Sequence, residues 1–446
     1  MTEVYNYIFK KEIMYEGDIM SKNYRIETIA LHGGQSLDAT RSRAVPVYRT
    51  SSYVFDSAKH GADLFSLKEK GYIYTRMMNP TQDVLEQRVA LLEGGRAALT
   101  LASGTSAIFY SIINICKAGD EFISASNLYG GTYTMFDAIL PQFGIACRFV
   151  PYDDYGAYEK AVNEKTRAIF VESIGNPTLG VPDFEEIAAI AHKHHLPMIV
   201  DNTFATPYHF KPIEHGATIV VHSLTKWLGG HGTAIGGIVV DSGNFDWTDP
   251  RFSLYNEPDD GYHGLQFAHD LGDDNALAFI LRMRLVPLRN LGAAISPDNA
   301  WLFLQGIETF ALRMQRHSDN ALKVAQFLQK HSKVAWVRYP GLAGDSCYDN
   351  ASKYFNNGFG GMVVFGVKSG YAGAVKFINS ITLFSHLANV GDAKSLILHP
   401  ASTSHSQLSE QQLLASEVTP DLIRLSIGIE NIEDIIEALD MALKLC

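Results

Sequence analysis

The residue with the clearest chemical potential is Lys226, in the segment ATIVVHSLTKWLGGHGTAIGG. It follows an apolar run that reads as a buried strand, stands beside the hydroxyls of Ser223 and Thr225, and is followed by glycines. An amine in such surroundings can condense with an aldehyde to a Schiff base once its pKa is lowered. A solvated lysine in a Gly-rich loop would look similar in isolation, so its neighbours along the chain matter. In MIVDNTFATP, Asp201 closes another apolar run. A lone Asp there often only turns the chain. Paired with a Schiff-base lysine it gains a specific task, because pyridoxal phosphate (PLP) needs a carboxylate against its pyridine nitrogen to accept carbanion density. LTLASGTSAIFYSI reads as strand, Gly-containing turn and helix start. The free N–H groups of Gly104 and Thr105 would there form an anion site strengthened by the helix dipole, although many such turns are purely structural. In SNLYGGTY, Tyr129 follows a further strand, where its ring could stack on a cofactor or simply pack in the core.

These residues need a scaffold that delivers them to one place. Strands are expected at Ala97–Leu101, Glu121–Ser124, Cys147–Val150, Ala168–Glu172, Met198–Asp201, Thr218–His222 and Ile235–Asp241, with helical stretches such as Ser106–Cys116 and Phe184–His194 between them. That rhythm predicts an α/β fold, a mostly parallel sheet covered by helices, in which ligands sit beyond the carboxyl ends of the strands. The polar groups Ser103-Gly104, Glu172 through Asn176, Asp201-Asn202 and Ser223 through Lys226 all follow apolar runs. A looser stretch, Asn244 to Gly264, precedes a long helical pattern over Pro297–Gln329. A strand at Met362–Val367 and a helix at Ile432–Leu445 then suggest a smaller α+β domain. The division expected is an extension and arm over 1–75, a large domain over 76–290 and a C-terminal domain over 291–446.

Composition narrows the function. A chain of 446 residues exceeds one ordinary core of roughly 150 residues. A net charge of −11 argues against binding a nucleic-acid backbone. Cys116, Cys147, Cys347 and Cys446 show no CxxC spacing, which points to a reducing cytosol and away from a disulfide framework or a cysteine zinc site. No apolar stretch reaches the ~18 residues of a membrane span, and the first 20 residues lack a signal-peptide centre; they read as a tail or an upstream extension, with Met20 as an alternative start. His192, His194 and His195 are spaced poorly for a shared metal-binding face, and no metal is expected. The glycines of GGHGTAIGG precede a strand instead of joining strand to helix, so NAD is not expected either.

Taken together, Lys226 with Ser223 and Thr225, Asp201, the SGTSA turn and YTRMMNPTQDVLE resemble the Cys/Met-metabolism PLP enzymes, from about Ile26 to the C-terminus. That family includes cystathionine γ-synthase, methionine γ-lyase and O-acetylhomoserine sulfhydrylase. The resemblance implies an aspartate-aminotransferase-like fold (fold type I) and PLP held by Lys226. It implies a phosphate cradle of Ser223, Thr225, Gly104 and Thr105, with Asp201 on the pyridine nitrogen and Asn176 near the phenolic oxygen. Tyr129 would stack on the ring and assist proton transfer. Arg424, in IRLSIGIE, would bind the substrate carboxylate, for which its bidentate fork is suited. Tyr74 and Arg76 would reach the phosphate of a neighbouring subunit, implying active sites shared within a dimer and a cytoplasmic homotetramer. GYHGLQFAHDLGD, LRNLGAAISPDNAWLFLQGIETFALRM and NVGDAKSLILHPASTSH resemble the O-acetylhomoserine sulfhydrylase branch, with Asn389 at a substrate-binding place that related lyases fill with serine. One departure is Thr105, where many relatives carry methionine; a backbone N–H contact survives that change. The activity implied is γ-replacement on O-acetyl-L-homoserine by sulfide or methanethiol, giving L-homocysteine or methionine and acetate, with the synthase and lyase branches as alternatives.

Two other readings remain. Ser223-Leu-Thr-Lys226 also spells the S-x-x-K of serine acyl-enzyme hydrolases, followed in order by Ser318-Asp319-Asn320 and Lys368-Ser369-Gly370. That chemistry needs the SDN segment in a loop, whereas here it falls inside an amphipathic helical pattern. A PLP-fold protein without turnover is the second; the intact lysine, aspartate and arginine argue against it.

Overall fold

The computed structural model describes residues 24–69, 71–403 and 418–446; the expected N-terminal tail of residues 1–20 and the end of the NVGDAKSLILHPASTSH segment lie outside them. Seven short apolar runs become strands: β1 (Ala97–Leu101), β2 (Glu121–Ala125), β3 (Ala146–Val150), β4 (Thr166–Glu172), β5 (Met198–Asp201), β6 (Ile219–Ser223) and β7 (Gly237–Asp241). They form one sheet in the order β1-β7-β6-β5-β4-β2-β3. Pairs within β3-β2-β4-β5-β6 are parallel, and β7 runs antiparallel to both of its neighbours. Alternation along the strands covers both faces, as a parallel sheet requires. Val200, Val220, Ile238 and Val240 pack with Leu85, Val89 and Leu92 of the Pro80–Glu93 helix. Leu99, Phe170, Ile199, Val221 and Val239 pack on the other side with Ile108, Ile112 and Phe279.

The second sheet contains β8 (Val334–Arg338), β9 (Met362–Val367), β10 (Ser385–His386), β11 (Leu396–Leu398) and β12 (Leu422–Ser426), in the order β10-β11-β12-β9-β8. The helices Phe310–Lys330, Gly370–Ser380 and Ile432–Lys444 bury their apolar faces with it.

Three expected boundaries shift for local reasons. The helix after β1 begins at Gly104, not Ser106, because Ser103 is its N-cap and exchanges hydrogen bonds with Ser106 in a capping box. The seventh strand begins at Gly237, not Ile235, because the Gly236 N–H donates to Thr225 Oγ1 instead of entering the ladder. The pattern over Pro297–Gln329 is two helices, Pro297–Glu308 and Phe310–Lys330, that meet at Thr309. At that break the Gly306 carbonyl accepts from Arg313 Nη2 at 2.7 Å, and the Gly306 backbone lies hard against Gly229, just beyond Lys226.

A Cβ at position 306 would collide with the Gly229 carbonyl. Gly306→Ala is expected to destabilise the protein by about 1–3 kcal/mol through overpacking, read as a lower denaturation midpoint in urea.

Candidate active site

The carboxyl ends of β1, β4, β5 and β6 open onto a cavity of about 280 Å³. Gly104, Thr105, Tyr129, Asn176, Asp201, Ser223, Thr225 and Lys226 line it from the first sheet's side, and Asn389 and Arg424 from the second's. Ten residues singled out from sequence thus share one space. Tyr74 and Arg76 do not join them: Tyr74 is exposed, and the Arg76 guanidinium lies over its ring at 5.1 Å.

Lys226 Nζ donates to Asn389 Oδ1 at 2.6 Å. Burial, with Arg424 nearby, lowers the lysine pKa from 10.5 to about 8. Near neutrality such an amine has an appreciable unprotonated fraction, the form that attacks an aldehyde. Asp201 ends β5, and its Oδ1 accepts the Thr203 N–H at 2.9 Å. Burial raises its pKa, opposed by the bonds from Thr203. A protonated ring nitrogen against this carboxylate would reverse that shift, which is what a pyridine cofactor supplies.

The Gly104–Ile113 helix presents its N-terminus to the cavity. Its capping box uses the N–H groups of Ser103 and Ser106, while those of Gly104 and Thr105, in the first turn, have no partner within the helix. Gly104 is required by proximity: a Cβ there would stand 2.6 Å from Ser223 Cβ. Ser223 thereby completes a small anion cradle with the helix end. The Thr225 hydroxyl is already engaged, accepting from Gly236 N at 3.1 Å and donating to Gly236 O at 3.3 Å. Its contribution to phosphate would need that long donation to be exchanged.

Tyr129 keeps half its ring exposed toward the cavity, and Gly131 makes room for it, since a Cβ there would lie 2.5 Å from the ring edge. Arg424, on β12, is buried; its Nη1 donates to Asn176 Oδ1 at 2.9 Å and its Nη2 to Asn389 O at 3.5 Å. Burial lowers its pKa to about 10. A buried guanidinium held by neutral oxygens and facing a cavity is suited to an incoming carboxylate. Asn176, expected near a cofactor oxygen, here holds this arginine.

Three contributors carried no assigned role in the sequence. Thr203 joins two strand ends, its N–H donating to Asp201 and its Oγ1 accepting from Ser223 N at 2.9 Å; the Asp-x-Thr order in VDNTF was its only signal. Glu172 receives the N–H groups of Tyr129 and Asn176. Arg313 donates to the carbonyls of Trp227, Leu228 and Gly306, clamping the loop beyond Lys226. The competing serine-hydrolase set does not assemble. Ser318 is buried within a helix and accepts from Phe359 N, Asn320 donates to Gly428 O and Glu430 O, and Lys368 donates to Ser332 O. His194 pairs with Glu159, and the described residues contain no group of three or more His, Cys, Asp or Glu that could hold a metal ion.

Comparison with known proteins agrees with this geometry. The family model for Cys/Met metabolism PLP-dependent enzymes matches residues 27–444. The chain belongs to that family. It is therefore a PLP-dependent enzyme, and its two sheets are the fold type I arrangement. It is 53% identical over 435 residues to an O-acetyl-L-homoserine sulfhydrylase of Leptospira meyeri, covering 96% of this chain and 98% of the relative. A homocysteine synthase of Schizosaccharomyces pombe is 50% identical over 422 residues, covering 94% and 98%. Among solved structures, a candidate O-acetylhomoserine (thiol)-lyase of Campylobacter jejuni that contains N'-pyridoxyl-lysine-5'-monophosphate superposes with a TM-score of 0.91 at 43% identity, covering 94% of this chain and 100% of that one. The metB protein of Corynebacterium glutamicum superposes with a TM-score of 0.81 at 31% identity, covering 95% and 98%.

With the pKa of Lys226 lowered to about 8, the cofactor-free protein should bind PLP covalently at a rate that rises with pH around that value. Arg424→Gln removes one cause of the depression, so the midpoint should move upward, checked by following the rate of imine absorbance across pH.

Proposed function

We propose that this enzyme catalyses γ-replacement on O-acetyl-L-homoserine, with sulfide displacing acetate to give L-homocysteine. The observation that carries the reading is the double contact of Asn389. Its side chain meets the Lys226 amine and its carbonyl meets the Arg424 guanidinium. An α-amino acid presents an amine and a carboxylate one carbon apart: its amine would take the place of the lysine amine on the cofactor's aldehyde, and its carboxylate would meet the guanidinium. The ester and the sulfur donor follow the names of relatives similar over nearly their whole length.

When bound, PLP supplies an aldehyde for the substrate amine and an electron-accepting ring. Lys226 would hold it, Asp201 would face its ring nitrogen, and Gly104, Thr105, Ser223 and Thr225 would receive its phosphate. Tyr129 would cover the ring and exchange protons with the substrate. The Lys226 amine, when free, would take the proton from the substrate Cα, a role that its lowered pKa favours. Arg424 would fix the carboxylate and so orient the Cα–H bond for removal. A second proton leaves Cβ as the Cγ–O bond to acetate breaks and acetate departs; sulfide then forms the new Cγ–S bond, and protons return to Cβ and Cα.

Tyr74 and Arg76, remote from the cavity in one chain, are read as contributors to the phosphate site of a second copy, with pairs of such dimers forming a tetramer. The free cysteines suit a cytosolic enzyme; no described helix is long and apolar enough to cross a membrane.

Assaying O-acetyl- and O-succinylhomoserine side by side with sulfide, methanethiol and cysteine tests the reading. Homocysteine from the acetyl ester and sulfide is the expected main product; cystathionine or rapid breakdown of methionine would overturn it. Lys226→Ala is expected to lower kcat by about 10²–10⁴-fold, the usual scale for removing a positioned acid–base group.

A further inference from the structure

Glu172 closes β4 directly beside Asp201 of β5, the two being paired in register. It is buried, lines the cavity, and has its pKa pushed well up by burial and by the Asp201 carboxylate. A second carboxyl group is an expensive choice at this position, since a buried charge costs free energy unless specific partners compensate it. Its partners explain the choice. One oxygen accepts the Tyr129 N–H at 2.7 Å, and the other accepts the Asn176 N–H at 3.2 Å. Two converging donors require two acceptor oxygens, which only a carboxylate offers; an amide would turn an NH₂ group toward one of them. Asn176 in turn accepts from Arg424.

We propose that Glu172 is a positioning residue that sets the ring-covering Tyr129 and the Asn176–Arg424 clamp from a single carboxylate. The hold on the cofactor and the hold on the substrate carboxylate are thereby tied together. This rests on the roles given above to Tyr129 and Arg424. It does not depend on which homoserine ester or sulfur donor is used.

The test compares wild-type protein with Glu172→Gln and Glu172→Asp. Three quantities are measured: the PLP dissociation constant of the cofactor-free protein, the visible circular dichroism of the bound cofactor, and the spectral dissociation constant of glycine on the loaded enzyme. Glycine probes the amine and carboxylate contacts alone, so this arm stands even if the ester and sulfide assignment fails. Glu172→Gln is expected to weaken PLP and glycine each by about tenfold, the scale of one unsatisfied buried hydrogen bond, and to reduce the dichroic band. Glu172→Asp, which keeps two acceptors on a shorter stem, should show smaller losses in both and remains informative if the glutamine variant fails to fold. A residue that merely supported the fold would lower thermal stability while leaving both constants within about twofold of wild type. That result, or a change in only one of the two constants, would overturn the proposal.

Discussion

Lowering an amine's pKa toward neutrality, within reach of a guanidinium, is the constraint from which the site's architecture follows. Lys226 achieves it by leaving water and by lying near Arg424, whose positive charge opposes a second one. Among the described residues neither group is paired with a carboxylate; amide and carbonyl oxygens of Asn389 and Asn176 meet them instead. Neutral acceptors satisfy the donors without restoring the charge balance that would raise the lysine again. The cavity's two acids, Asp201 and Glu172, lie together at the ends of adjacent strands. Basic and acidic groups are thus separated inside one small volume, and a ligand with its own cationic ring and anionic carboxylate can complete both sides.

Holding that separation demands rigid backbone at several strand ends, and the fold provides it by contacts between elements distant in sequence. Thr203 ties the end of β5 to the start of the Ser223–Lys226 turn. Arg313, from a helix packed on the second sheet, takes carbonyls on the loop beyond Lys226. Gly391 brings the Asn389 segment so close to that loop that a Cβ would lie 2.6 Å from Trp227 N. Glycines cluster here because backbone must meet backbone, while the pleated sheet beneath supplies stiffness.

Much of this was legible in the sequence because its signals are local. Apolar runs of strand length marked all seven members of the first sheet, and the residues after them were the ones that converge. The starts of the helix after β1 and of β7 were each placed two residues off, since both depend on hydrogen bonds, of Ser103 with Ser106 and of Gly236 with Thr225, that can be weighed only with geometry in hand. Thr203, Glu172 and Arg313 stayed without a role for a related reason. Their partners are fixed by the lateral order of the strands and by the docking of the second sheet, which no periodicity in the chain encodes. Asn176 shows the limit of resemblance: family pattern directed attention to it, but its contact with Arg424 had to be seen.

The Arg313 clamp has a mechanical consequence. Through it, and through the close approach of Gly391, the lysine's loop is fastened to the body that carries β12 and Arg424, although Lys226 follows a strand of the other sheet. Amine and guanidinium are therefore held to one body, and their spacing works as a fixed ruler. A compound with its amine one carbon further from its carboxylate would be out of gauge, however freely the phosphate end of the pocket adjusts around it.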